Sequence, residues 1–171
     1  MTEKAKDRAE KAFESAMNYE KRCTGCAQTC IAGIFDALDI ENDDVFRSAS
    51  GLADGLGLTG DGSCGALTGG AMVIGLLFGR EKKDIADMMK PMRSYLLVKK
   101  LHDRFVERYG TCRCYDVQRS LMGRTFNLYD PAELEAALRA GMIGHCSRLV
   151  GEAARMATEI ILSEWEMEKD T

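Results

Sequence analysis

The feature that most constrains the fold is the scarcity of strand patterns and helix breakers in a chain of 171 residues. Only two prolines occur, and apolar residues do not alternate with polar ones as a strand would require. Ala, Leu, Met, Glu, Lys and Arg dominate instead, and these residues favour helices. The sequence therefore predicts an all-α fold. We expect one compact helical domain of about six helices over residues 1–171, with its core at about residues 20–165.

End signals divide the chain into predicted helices. Asn42 and the Asp130-Pro131 pair are typical of helix starts, and Ser63 is the predicted cap of the helix that follows it. Pro91 is expected to kink or split the helix predicted around it. The longer predicted helices cover residues 4–20, 23–38, 64–79, 83–109, 131–140 and 143–166, and two short ones cover residues 43–49 and 114–121.

The charge balance excludes some classes of partner. The chain has 23 basic and 27 acidic residues, a net charge of −4, and no basic block of the kind that binds nucleic acid. Its longest apolar stretch, residues 66–78, is shorter than the ~20 residues that span a bilayer. The N-terminal segment is charged throughout and lacks the apolar core of a secretory signal. We therefore expect a cytoplasmic protein with no nucleic-acid partner and no membrane insertion.

Seven cysteines indicate the chemistry. Structural disulfides are rare in a reducing cytoplasm, so a thiol-rich chain there is more typical of metal binding or redox chemistry. Cys23, Cys26 and Cys30 are spaced i, i+3, i+7, which would place them on one face of a helix. No Ser/His/Asp arrangement or paired-carboxylate motif is recognisable. An electron carrier is therefore expected rather than an enzyme that converts a substrate.

Cys64 has the strongest local signal. It lies at a predicted helix start, where unpaired N–H groups and the helix dipole favour an anion, so we expect a lowered pKa and a reactive thiolate. The glycine-rich segment 51–62 is predicted to be a loop that leads Cys64 into place. Gly65, Gly69 and Gly70 leave room beside the thiol for a backbone or an inorganic cluster.

A stripe of small residues follows on the same predicted helix. Ala71, Gly75 and Gly79 are spaced i, i+4, i+8 and form a smooth face. This face would receive either a neighbouring helix of the same chain or a partner chain. We predict tight helix packing there, and a homodimer as the assembly.

These residues resemble a known family. The Cys26-Ala27 pair, the segment Cys64-Gly65-Ala66-Leu67-Thr68-Gly69, Cys114 and Cys146 resemble the redox-active family named for its C_GCAxxG_C_C pattern, over residues 20–165. The resemblance implies a helical fold, a role in electron transfer in anaerobic bacteria and archaea, and joint action of Cys26, Cys64, Cys114 and Cys146. A related domain of split-Soret cytochromes carries, by the same resemblance, an iron centre held by cysteines. The Cys-x-x-Cys-His motif that attaches haem is missing here.

Four thiolates suit an iron–sulfur cluster, an iron centre or Zn²⁺. The first hypothesis is therefore a cysteine-ligated iron–sulfur or iron-binding electron-transfer protein whose redox partner protein is unknown. The second is a metal-free thiol/disulfide protein or sensor that uses Cys64 as the attacking thiol, with Cys23, Cys26 or Cys30 as the resolving thiol. A structural zinc site, or a helical protein whose cysteines only pack the core, is a third reading. Cys112 could replace Cys114 in any ligand set.

Overall fold

The computed structural model describes residues 2–169, and within them the chain forms eight α-helices and two short 3₁₀ turns. The all-α class is confirmed, but about six helices was too few, because both short segments are separate helices. The 3₁₀ turns lie at Ser50–Leu52 and Lys82–Asp84. The helices are α1 (Glu3–Cys23), α2 (Cys26–Leu38), α3 (Asp43–Ser48), α4 (Gly65–Phe78), α5 (Met92–Tyr109), α6 (Cys114–Met122), α7 (Pro131–Arg139) and α8 (Met142–Lys169).

Most helix ends follow the sequence signals. Asn42 accepts a hydrogen bond from the Val45 N–H at the start of α3, and Asp130 caps α7 with Pro131 in its first turn. Pro91 splits the long predicted helix, so that α5 begins only at Met92. Within residues 2–169 none of the helices combines the length and the apolar character needed to cross a bilayer.

A stripe of alanines on α1 lets the helices pack closely. Ala5, Ala9, Ala12 and Ala16 recur every three or four residues and are all buried. Helices α2 and α8 pack along this face, and α4 and α5 complete the core. Gly33 of α2 lies directly against α1, where an added Cβ would come 2.4 Å from the Ala16 Cβ. Alanine and glycine therefore set the α1–α2 distance.

The small-residue stripe on α4 does not pack as predicted. Gly75 and Gly79 are exposed, and an added Cβ at Gly75 would meet nothing within 4 Å. The prediction of tight packing through Ala71, Gly75 and Gly79 within the chain is therefore wrong. The expected homodimer stays a prediction.

The two glycine environments predict opposite effects of the same substitution. Gly33→Ala should lower the free energy of unfolding by about 2–3 kcal/mol, because the new methyl group overlaps the α1 backbone. Gly75→Ala should raise it by about 0.5–1 kcal/mol, because an exposed helical glycine only adds freedom to the unfolded chain. Urea denaturation of both variants checks this pair, and equal changes would contradict the packing described here.

Candidate functional site

Four of the seven cysteines line one cavity of about 320 Å³. They are Cys26, Cys64, Cys114 and Cys146, contributed by the starts of α2, α4 and α6 and by the second turn of α8. Cys64 and Cys114 are buried, and Cys26 and Cys146 are partly exposed. The residues that the family resemblance singled out, 120 positions apart at the extremes, therefore face a common space.

Cys64 is itself the residue that caps α4, one position later than the predicted cap Ser63. Its side chain makes no capping hydrogen bond, but the backbone N–H groups of Ala66 and Leu67 at this helix start act to lower its pKa. Burial outweighs their effect and raises the pKa of Cys64 to about 11. The expectation of a lowered pKa is therefore wrong, because the sequence does not reveal how completely the thiol is removed from water.

The other cavity thiols are also held neutral. Burial is the main cause of the raised pKa of Cys26, Cys114 and Cys146, and the neighbouring thiol of Cys64 raises each of them further. A carboxylate, Asp54, adds to the effect at Cys114. The four cavity thiols are therefore protonated in the metal-free protein, and they must release their protons before they can bind a metal.

Two glycines of α4 let α2 approach the cavity. An added Cβ at Gly65 would lie 2.3 Å from the Cys26 Sγ, and one at Gly69 would lie 2.4 Å from the Ala27 carbonyl oxygen. The absence of a side chain at Gly65 thus lets the Cys26 thiol lie against the backbone that follows Cys64. The prediction that glycines here admit a close backbone is confirmed for Gly65 and Gly69: the backbone of Ala27 approaches both, and the Leu52 carbonyl oxygen also approaches Gly65.

The loop between α3 and α4 carries an aspartate that the sequence analysis missed. Asp54 adopts a left-handed backbone (φ 48°), and its N–H donates to the Cys26 Sγ at 3.4 Å. Its carboxylate oxygen Oδ1 accepts from the Cys114 thiol at 2.8 Å and from the Gln118 Nε2 at 2.6 Å. Asp54 therefore connects two of the four cysteines. No single-sequence signal marks it, since aspartate is common in glycine-rich loops.

Two acceptor atoms in the cavity have no protein partner. Asp54 Oδ2 and Gln118 Oε1 are buried and receive no hydrogen bond from any of the described residues. The orientation of the Gln118 amide is fixed, because the reverse orientation would set its oxygen against the Asp54 carboxylate. Such unpartnered acceptors in a native interior call for a donor, either on a ligand or on water.

Glu20 is a second carboxyl group that the sequence analysis did not identify. It is buried at the end of α1 and accepts a hydrogen bond from the Thr29 hydroxyl at 2.5 Å. Burial raises its pKa, and the negative charge of Asp54 adds to the shift. A signal was present, because Glu20 continues the buried alanine stripe four residues after Ala16.

The cavity lacks basic side chains. No Lys, Arg or His is found among its lining residues within the part of the chain that the structure describes, and its charged lining residues are Glu20 and Asp54. Favourable potential for a negative group comes instead from three helix N-termini. Cys26 and Cys114 are the first residues of α2 and α6, and Cys64 caps α4.

The cavity also has an apolar end, which on α8 begins one helical turn before Cys146. Helices α6 and α7, the loop between them and the first turn of α8 form it. Leu134, Leu138 and Ile143 are 42%, 48% and 37% exposed although they line the cavity, so this end opens to solvent. The apolar end consists of Met122, Leu128, Leu134, Leu138, Met142 and Ile143.

The remaining cysteines lie elsewhere. Helix α1 ends at Cys23 and α2 begins at Cys26, so the predicted single-helix stripe is broken at Thr24 and Gly25. Cys23 is exposed, Cys30 is buried in the core, and neither lines the cavity. Cys112 is half-buried and touches the site only through its carbonyl oxygen, which accepts from the Cys64 N–H at 2.7 Å.

The donors do not converge on one point. Within residues 2–169, no group of three or more His, Cys, Asp or Glu side chains has the spacing needed to hold a metal ion. A tetrahedral zinc site requires four sulfurs about 2.3 Å from one centre. The four thiols instead stand around a space large enough for a group of several atoms.

Comparison with known proteins gives one match. The model of the family described as "Putative redox-active protein (C_GCAxxG_C_C)" matches residues 24–160, which include all four cavity cysteines. No curated protein and no solved structure matches the chain.

Proposed function

The chain belongs to the redox-active C_GCAxxG_C_C family, and we propose that it is an electron-transfer protein whose iron–sulfur cluster is bound by Cys26, Cys64, Cys114 and Cys146. The observation that carries this proposal is the shared cavity of the four thiols. A cluster held by cysteines would supply one-electron chemistry when bound. Soft thiolate donors suit both an iron–sulfur cluster and zinc, and the redox description of the family supports the cluster.

Several groups of the protein suit this role. The Asp54 N–H donates to the Cys26 sulfur, and the N–H groups of Ala66 and Leu67 at the start of α4 favour the thiolate of Cys64. Hydrogen bonds to ligand sulfurs and the exclusion of water are the main means by which a protein sets the reduction potential of a cluster. The carboxylate of Asp54 acts in the opposite direction, because its negative charge disfavours the reduced, more negative state.

The metal-free alternative has weaker support. A thiol oxidoreductase needs an attacking thiol with a low pKa, whereas burial raises the pKa of Cys64 to about 11. Cys26 is the partner thiol in this reading, since it lines the same cavity as Cys64, whereas Cys23 and Cys30 do not. Mass spectrometry after mild oxidation would find a Cys26–Cys64 disulfide if this alternative were correct.

Anaerobic reconstitution with iron and sulfide tests the proposal. The wild-type protein should bind iron and sulfide and become coloured. Ser replacement of any one of the four cavity cysteines should lower the iron bound by about tenfold or more. Cys23→Ser and Cys112→Ser are matched controls that should bind iron as the wild type does, since neither side chain lines the cavity.

Two results would contradict the proposal. One is a colourless wild-type protein with less than about a tenth of an iron atom per chain after reconstitution. The other is full iron binding by all four cavity variants. A loss of iron in Cys112→Ser together with retention in Cys114→Ser would move the ligand assignment to Cys112.

A further inference from the structure

The cavity changes character along α6. Cys114, Gln118 and Met122 lie four residues apart on one face of this helix and all line the cavity. At 1.5 Å per residue, the lining passes from thiol through amide to apolar side chain over about 12 Å. On α6 the lining thus changes from thiol to apolar side chain, while on α8 Cys146 lies one turn from Met142 and Ile143. The apolar side chains have no role in the proposed electron-transfer function.

The size of the cavity suits a small organic molecule. An engineered apolar cavity of about 150 Å³ takes up benzene. The whole cavity, with the space around the four thiols included, has about 320 Å³, near the lower limit of natural ligand pockets. Its apolar end is open at Leu134, Leu138 and Ile143, which gives a ligand a route from solvent.

Gln118 and Asp54 each have a buried hydrogen-bond acceptor without a protein partner among the described residues. Gln118 is 2% exposed, and its Oε1 is one of the two buried acceptors without a protein partner among the described residues. The other is Asp54 Oδ2, which is held in place because Oδ1 of the same carboxylate accepts from both Cys114 and Gln118. Both oxygen atoms can accept a hydrogen bond and neither can donate one. A ligand that satisfies them must therefore carry a hydrogen-bond donor.

We propose that the apolar end is a binding site for a largely apolar ring molecule that carries a hydroxyl or N–H donor. Its ring lies among the leucine and methionine side chains of the apolar end, and its donor reaches Gln118 Oε1 or Asp54 Oδ2. An anion is disfavoured, because none of the lining residues within residues 2–169 is basic and the charged ones are the acidic Glu20 and Asp54.

A pair of probes that differ in one donor tests this site. 1-Naphthol has two fused rings and a hydroxyl donor, and 1-methoxynaphthalene has the same rings without the donor. Fluorescence titration of the full chain, reduced and under anaerobic conditions, should show 1-naphthol binding about tenfold more tightly or better, because a hydrogen bond to a buried acceptor discriminates by at least this factor.

Matched variants locate the binding. Leu138→Asp places a charge at the mouth of the apolar end and should weaken 1-naphthol binding by about tenfold or more. Leu96→Asp is the control, because Leu96 on α5 is 62% exposed and does not line the cavity. Both positions are exposed in the folded chain, and circular dichroism verifies that both variants fold.

Three results would overturn the inference. They are the absence of 1-naphthol binding, equal affinity for the two probes, and equal affinity of Leu138→Asp and Leu96→Asp for 1-naphthol. Equal affinity for the probes would mean that water satisfies the two acceptors. Because these titrations need no iron, their failure would leave the iron–sulfur proposal standing, and failure of reconstitution would leave the ligand site standing.

Discussion

Raising the pH from about 8 to about 11 is expected to unfold the metal-free protein. The ordinary pKa of a cysteine thiol is 9.0, and burial raises the pKa of Cys64 to about 11 in the folded chain. The folded state keeps its proton in this interval while the unfolded state releases it. The stabilisation is therefore fully present below about pH 9 and is lost as the pH rises through about 11.

The magnitude is large for a protein of this size. Two pH units for one thiol amount to about 3 kcal/mol, against about 5–15 kcal/mol for a whole domain. The pKa values of Cys26, Cys30, Cys114 and Cys146 are raised as well, mainly by burial, so their contributions have the same sign. Together they are sufficient to cross the midpoint of unfolding.

Urea denaturation across this pH range, with chelator and reductant present, measures the effect. The urea midpoint should fall steeply above about pH 9 in the wild type. Cys64→Ala should show a shallower fall, because one buried thiol is gone, whereas the exposed Cys23→Ala should follow the wild type. A midpoint that stays level between about pH 9 and 11 would refute the buried neutral thiols.

Gly55→Ala should both destabilise the protein and abolish iron binding. Gly55 has a left-handed backbone (φ 72°), and an added Cβ would lie 2.7 Å from the Gly60 carbonyl carbon and 3.0 Å from the Cys114 Cβ. The left-handed conformation costs about 1–2 kcal/mol in alanine, and the overlap costs about 1–3 kcal/mol more. Relief of the overlap requires movement of the loop that holds Asp54 or of Cys114 itself.

Gly57→Ala is a closely matched control. Gly57 lies two residues further along the same loop and is also left-handed (φ 55°), but an added Cβ there meets nothing within 4 Å. This variant should lose only about 1–2 kcal/mol and should bind iron as the wild type does after reconstitution. Iron bound by Gly55→Ala should fall by about tenfold or more. Equal iron content in the two variants would mean that the loop does not position the site.

The sequence predicts the helices well because their end signals are local. Asn42, Asp130 and Pro91 act within one turn of their own positions, so a linear reading finds them. The break at Thr24 and Gly25 was missed because the periodicity of the cysteines continues across it. The exposure of Gly75 was missed because packing depends on which helices become neighbours.

Some features of the site were likewise predicted from the sequence, and others were found only in the structure. The resemblance to the family singles out the four cysteines, and the fold brings them to one cavity. Asp54 and Gln118 became visible only in three dimensions, since their importance comes from contacts with Cys114 and from acceptors left without partners. The pKa of Cys64 had the wrong predicted direction because burial is a property of the whole fold, whereas the helix start is a property of the segment.

The three helix starts at the cavity affect how much the sequence of such a protein can change while the site is kept. Cys26, Cys64 and Cys114 each lie where a helix begins, and none of the cavity-lining residues within residues 2–169 is basic. The peptide groups that offset negative charge at a helix start are present whatever side chains the helices carry. Substitution can therefore replace most of the wall while the potential persists. A motif of a few cysteines and glycines, separated by long variable stretches, is the signature that such a site would leave in its descendants.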